Sequence, residues 1–255
     1  MNTLNITSKS DYQVIQLNNG KVNAINLEMI SELTQAIDNA EVDSSVRGMI
    51  ITGQPHYFSA GLDIKELYHL DKAGSEKFWG DFLKMVVALN RFSKPLISAI
   101  SGFSPAGGCV IAVCCDYRYM ASGDKYVIGL NEVPLAIMVT EGIFHLYAHW
   151  IGNRRAHQYL IEGKLHSGQE ALAMGLVDQL VPLEELLNTA ELKMQQLLQS
   201  DDGALQGTKK NIKKSLMKKV DVDIDSILHA AVAQWWSPNS RAIMKAAVEG
   251  LGGGK

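Results

Sequence analysis

Apolar and polar positions along the chain fall into short runs whose period keeps changing. Residues 12–17 read as a strand, residues 27–39 carry apolar side chains at helical spacing, and residues 48–52 form a short apolar strand that stops at Gly53. A second round follows. Residues 74–92 are amphipathic, with Phe78, Phe82, Met85 and Leu89 on one side, and residues 96–100 are again an apolar strand. A third helix-like run, 107–115, precedes a short strand at 126–129. Strands this short, alternating with helices, predict an α/β fold with a mainly parallel sheet covered on its faces. From Thr140 onward the pattern is almost entirely helical, through Trp150 and over 154–162, 167–174 and 183–199. No repeat, low-complexity tract or long linker marks a second independent domain. The expected organisation is a βα core over residues 1–195, helical from about 140, followed by a helical segment over 196–255.

Composition narrows the function classes. With 255 residues, 47% of them hydrophobic and 20% charged, the chain can bury one large core. A net charge of -3 provides no overall field for nucleic acid or an anionic membrane, so an anionic ligand needs a local site. Cys109, Cys114 and Cys115 crowd into one apolar stretch, which suits buried thiols in a reducing compartment. Neither end carries a targeting, lipidation or retention motif, and no apolar run reaches the roughly 20 residues of a membrane span, so a cytoplasmic location is expected.

Two loops share one plan: an apolar strand, then small residues and glycine, then a helix. One leads from Ile50-Ile-Thr-Gly53 to Phe58-Ser-Ala-Gly-Leu-Asp-Ile-Lys65, the other from Ile97-Ser-Ala-Ile-Ser-Gly102 to Ser104-Pro-Ala-Gly-Gly-Cys109. Glycine lets backbone and ligand approach closely, and the unpaired N–H groups of a first helical turn favour an oxyanion or phosphate. Neither loop has a dinucleotide or P-loop pattern. Taken singly, Gly107 and Gly108 read equally as residues that let a buried helix pack tightly. Taken together, the loops offer two donors for one developing negative oxygen. Glu132 follows the strand at 126–129, within Gly129-Leu-Asn-Glu-Val-Pro134. Among apolar neighbours its charged form is disfavoured, which suits a general base, although the segment also reads as an ordinary loop ending.

The run Ser59-Ala-Gly-Leu-Asp-Ile-Lys65, then Lys94-Pro95, Ser104-Pro-Ala-Gly-Gly-Cys109, Cys115-Asp-Tyr-Arg118, Ile128-Gly-Leu-Asn-Glu132 and Ala171-Leu-Ala-Met-Gly-Leu-Val-Asp178, resembles the crotonase (enoyl-CoA hydratase/isomerase) superfamily from about residue 12 to 250. The resemblance implies the ClpP-like fold of repeated ββα units, with a C-terminal helical segment that forms a trimer contact and lid. It implies a thioester oxyanion hole from the backbone N–H groups of Leu62 and Gly107. It also implies substrate contacts from Ala60, Ile64, Gly108 and Val110, and Glu132 as the acid/base. No separate cofactor is implied, since coenzyme A arrives as part of an acyl-CoA substrate. A homotrimer, or trimers paired into a hexamer, is the implied assembly.

Hydratases of this superfamily carry a second glutamate directly after Gly-Gly-Cys, where this chain has Val110, and a P-G-x-G-G stretch where this chain has Val139-Thr-Glu-Gly-Ile143. Both departures favour a shift of a 3-enoyl double bond to the 2-position, and Ile128 to Glu132 resembles the mitochondrial type of Δ3,Δ2-enoyl-CoA isomerase. Hydration, other enolate chemistry and non-catalytic acyl-CoA binding stand as alternatives. Glu141, His145 and His149 share a helix face, so Glu141 is a secondary acid/base candidate beside the reading of a partly solvated face; a metal triad is the least favoured of the three. The lysines at 209, 210, 213, 214, 218 and 219 read as a solvated basic face or as help in holding CoA phosphates. Trp235 and Trp236 read as packing residues or as acyl-tail contacts.

Overall fold

The computed structural model describes residues 1–252, without the side chains of Asp225, Ser226 and residue 252. The last three residues, on which part of the reading of the C-terminal end rests, lie outside the described residues.

The chain opens with an antiparallel pair, β1 (Leu4–Ser8) and β2 (Gln13–Leu17), then α1 (Leu27–Val42), whose first turn is capped by Asn26 accepting from the Met29 N–H at 2.9 Å. Three strand pairs follow: β3 (Met49–Thr52) with β4 (His56–Tyr57), then, after α2 (Ile64–His69) and α3 (Lys72–Arg91), β5 (Leu96–Ile100) with β6 (Gly102–Pro105), and, after α4 (Gly107–Cys114), β7 (Tyr117–Ala121) with β8 (Val127–Gly129). The first strand of each pair joins one sheet and the second joins another. Among the described residues these sheets run β1-β2-β3-β5-β7-β10 and β4-β6-β8-β9. This is the repeated ββα plan, parallel except at β1 and β9.

The remainder comprises a 3-10 turn (Val133–Leu135), α5 (Glu141–Ile151), α6 (Asn153–Glu162), β9 (Leu165–Ser167), α7 (Gly168–Ala173), β10 (Gln179–Val181), α8 (Leu183–Leu197), α9 (Asp202–Val220), α10 (Ile224–Trp235) and α11 (Pro238–Gly252). The helical reading beyond Thr140 is therefore corrected at two places. β9 and β10 hold three residues each, too few to show a period, and they are strands because they complete the sheet edges beside β8 and β7.

Alternation along the central strands explains why both sheet faces are covered. Met49 and Ile51 of β3, with Leu96 and Ile100 of β5, face the main core, where α1, α3 and α4 pack. Ile50, Ile97 and Ala99 face the other way, where Leu186, Ala190 and Met194 of α8 cover them. Of the C-terminal helices, α10 lies on α3, and α11 lies on α2 and the 3-10 turn. The end of the chain is thereby folded onto the loops that follow β4 and β8. Among the described residues no helix is long and apolar enough to cross a membrane.

Candidate functional site

The two glycine loops meet. A Cβ at Gly61 would sit 3.1 Å from the Ala106 Cβ and 3.5 Å from the Gly107 nitrogen, and one at Gly107 would sit 3.5 Å from the Leu62 nitrogen, so the two loops lie against each other and Gly61 is tightest where they meet. Gly61 has φ +90, a conformation that glycine adopts at little cost. Ala106, at the N-cap of α4, has φ 48 and ψ -122, a strained conformation for a residue with a Cβ. Its N–H is anchored on the Gly129 carbonyl at 2.8 Å, which ties the turn before α4 to the end of β8. Neither the Leu62 nor the Gly107 N–H donates to another backbone group among the described residues. Two backbone donors from separate loops are thus left side by side.

Glu132 lies at the end of the β8 loop, where its carbonyl accepts from Leu135 at 2.9 Å and Ile137 at 3.0 Å. Only 8% of the residue is exposed, and Oε2 has no hydrogen-bond partner. Burial pushes its carboxyl up to about 7, slightly offset by its own backbone N–H. Two cavities flank it, and Leu62, Glu132 and Ile137 line both. The larger, about 600 Å³, is open toward Asn19–Val22, Ala60, Asp63–Lys65, Pro105, Ala106, Ala247 and Leu251. The smaller, about 30 Å³, runs between α3, α5 and α10 and includes Gly107, Trp79, Phe82, Ile143 and Trp235.

Leu62, Gly107, Glu132, Ala60 and Ile64 therefore come together around these cavities. Gly108 and Val110 do not line them. Gly108 is turned toward the first loop, where a Cβ would lie 2.9 Å from the Ser59 carbonyl, and Val110 is 1% exposed within the main core. Glu141 is also elsewhere: its side chain is 73% exposed and pairs with His145 at 3.3 Å. It is Thr140 and Ile143, at other angles around the start of α5, that reach the small cavity. Among the described residues no group of three His, Cys, Asp or Glu side chains is placed to hold a metal ion.

The basic face of α9 is corrected as well. Lys209 and Lys213 are turned inward to Asp116, at 2.6 and 3.1 Å, beside a separate cavity of about 520 Å³, while Lys210, Lys214, Lys218 and Lys219 are exposed. Burial lowers Lys209 to about 8 despite the nearby Asp116 carboxylate. Trp235 lines the small cavity; Trp236 instead lies under the Arg241 guanidinium at 4.6 Å. Lys21, Trp79, Ala231 and Ala247 also line the site, and no motif marks them. Only Trp79 carries a signal, because it belongs to the amphipathic run of α3.

The family model described as enoyl-CoA hydratase/isomerase matches residues 8–241. The chain is 39% identical over 218 residues to enoyl-CoA delta isomerase 1, mitochondrial, of Mus musculus, an alignment covering 84% of this chain and 75% of that protein. It is 30% identical over 223 residues to short-chain-enoyl-CoA hydratase of Clostridium acetobutylicum, covering 87% and 85%. The crystal structure of human mitochondrial delta3-delta2-enoyl-CoA isomerase superposes with a TM-score of 0.94 at 32% identity, over 98% of each chain. Sequence and fold agree over nearly the whole length, and the chain belongs to the enoyl-CoA hydratase/isomerase family of enzymes.

Proposed function

We propose that this enzyme shifts the double bond of a 3-enoyl-CoA to the 2-position. The observation that carries the reading is Glu132, a buried carboxylate whose Oε2 has no hydrogen-bond partner, at the junction of two cavities that the Leu62 and Gly107 loops also line. With the thioester oxygen held by the Leu62 and Gly107 N–H groups, removal of a proton from C2 leaves an enolate whose negative oxygen those donors stabilise. Glu132 takes that proton and returns it to C4: as the carbonyl re-forms, the enolate's C1–C2 pair moves to C2–C3 and the pair of the old C3–C4 double bond forms the new C4–H bond. A carboxyl that titrates at about 7 is matched to both halves of this exchange near neutral pH. The pantetheine and nucleotide arm belongs in the larger cavity, where Lys21 and Lys65 supply cations for its phosphates.

Hydration is the second reading, because hydratases are among the relatives. It needs a group to activate water opposite Glu132, and Val110 stands where those enzymes carry a glutamate. Purified protein is to be incubated separately with 3-enoyl-CoA and 2-enoyl-CoA while the absorbance of the conjugated thioester is followed. A gain with the first and no loss with the second is expected. Faster loss of 2-enoyl-CoA than gain from 3-enoyl-CoA would make the chain a hydratase, and thioester binding without turnover would make it a binding homologue.

A further inference from the structure

We propose that Trp79 and Trp235 form a fixed end wall to the acyl site and restrict the substrate to chains of about six carbons or fewer; the placement of the acyl group rests on the function proposed above. The small cavity meets the large one at Leu62, Glu132 and Ile137, so an acyl chain whose reacting carbons lie beside Glu132 continues into it. The space in it open to a water-sized group is about 30 Å³, against about 600 Å³ in the larger cavity, so it is a short pocket and not a channel. Four carbons are accounted for by the thioester carbonyl and C2 to C4. About two more are assigned to this short pocket.

The wall is braced against yielding. Trp79 is 8% exposed and Trp235 is 2% exposed, and their rings meet edge to face at 5.9 Å and 70°. Trp79 is held from its own helix by Phe78 at 5.7 Å and Phe82 at 6.4 Å. Trp235 lies within 5.8 Å of the Arg241 guanidinium, which is itself anchored on the Tyr68 carbonyl at 2.7 Å. The two indoles come from α3 and α10, so lengthening the cavity requires these packed helices to separate or a large ring to leave its contacts.

The test is a binding series that needs no turnover: calorimetric Kd values for butanoyl-, hexanoyl- and dodecanoyl-CoA, with 3-hexenoyl- and 3-dodecenoyl-CoA turnover beside it. The wild-type protein should bind hexanoyl-CoA at least tenfold more tightly than dodecanoyl-CoA. Trp235→Ala and Trp79→Ala should each reduce that ratio to threefold or less. Ala231→Leu adds bulk at the half-buried wall without removing a core ring. It should weaken hexanoyl-CoA at least fivefold relative to butanoyl-CoA, and it decides the matter if the tryptophan variants do not fold. Equal wild-type affinity for hexanoyl- and dodecanoyl-CoA, absence of acyl-CoA binding, or an unchanged selectivity in folded variants would overturn the proposal. Length-selective binding without turnover of any 3-enoyl-CoA would instead reject the isomerase reading and leave the end wall standing.

Discussion

Glu132 is held in a setting that costs stability and supplies basicity through the same physical cause. Its folded carboxyl titrates near 7, whereas an unfolded one titrates near its ordinary value of 4.5. Across that window the folded state binds more protons, so this residue's contribution to stability falls as pH rises from about 4.5 to about 7 and stays low above it. A shift of that size corresponds to about 3 kcal/mol. Glu132→Gln cannot ionise and escapes the penalty. In urea unfolding the variant should therefore gain stability over the wild type at pH 8, by up to about 3 kcal/mol, and the advantage should disappear by about pH 4.5. Its turnover should move oppositely, falling roughly 10²- to 10⁴-fold with acyl-CoA affinity kept within a few-fold, because the amide keeps the shape and loses the proton exchange. Wild-type kcat/KM should rise with pH to a midpoint near 7, as the base form of Glu132 accumulates. A flat profile from pH 5 to 9, or a Gln variant with undiminished turnover, would remove Glu132 from the reaction.

Several motif residues that touch no candidate substrate cavity are explained by the elements they join. Asp116 accepts from the Leu96 N–H at 2.9 Å and neutralises Lys209 and Lys213, so one carboxylate ties the start of β5 to α9. Arg118 has no exposed surface; it donates to the Leu176 and Cys115 carbonyls at 2.8 and 2.9 Å, meets Asp178 at 3.2 Å and stacks 3.5 Å above Trp150. That network joins Cys115-Asp-Tyr-Arg118 to Gly175-Leu-Val-Asp178, two distant motifs in the sequence that prove to be partners in space. Lys94 has the same kind of role, donating to the Ala40 and Asp43 carbonyls at the end of α1. Asp116→Ala leaves two buried ammonium groups without their counter-charge and should cost about 3–5 kcal/mol in denaturant unfolding; a loss below 1 kcal/mol would show the lysines to be solvated after all. The same network explains which elements were legible. Runs with clear period and apolar content, α1, α3, β3 and β5, were read to within a few residues. β7 was not, because Arg118 makes a buried strand look polar until its partners are known, and β1, β4 and β6 are edge or short strands whose pattern rests on neighbours far away in the chain. In the site, paired glycine loops and an acidic residue after a strand were visible as local chemistry. Lys21, Ala231 and Ala247 were not, because only the fold brings them there.

At the scale of the whole molecule, apolar surface remains exposed on α8 and α9. Leu187, Leu192 and Ile212 are 38%, 58% and 66% exposed on α8 and α9. Ile212 also borders the cavity of about 520 Å³ formed with Trp150, Leu197 and Leu205. Scattered apolar residues need no explanation, but an exposed Ile212 at the mouth of a cavity that Trp150, Leu197 and Leu205 also line is a surface that association would cover. A second copy of the chain fits this role, as family resemblance implies a trimer, and three copies related by a closed rotation would each bury the same surfaces. On this reading α9 has two sides with different tasks: Lys209, Lys213 and Leu216 fasten it to its own core, and Ile212 faces the neighbour. Size-exclusion chromatography with light scattering should give a mass three or six times 28.0 kDa. Ile212→Glu places a charge on the proposed contact and should shift that mass toward the monomer, with little change in the far-ultraviolet spectrum, because the residue is two-thirds exposed in a single chain. An active wild-type species at 28.0 kDa would reject the trimer and with it any contribution of a neighbouring subunit to the site.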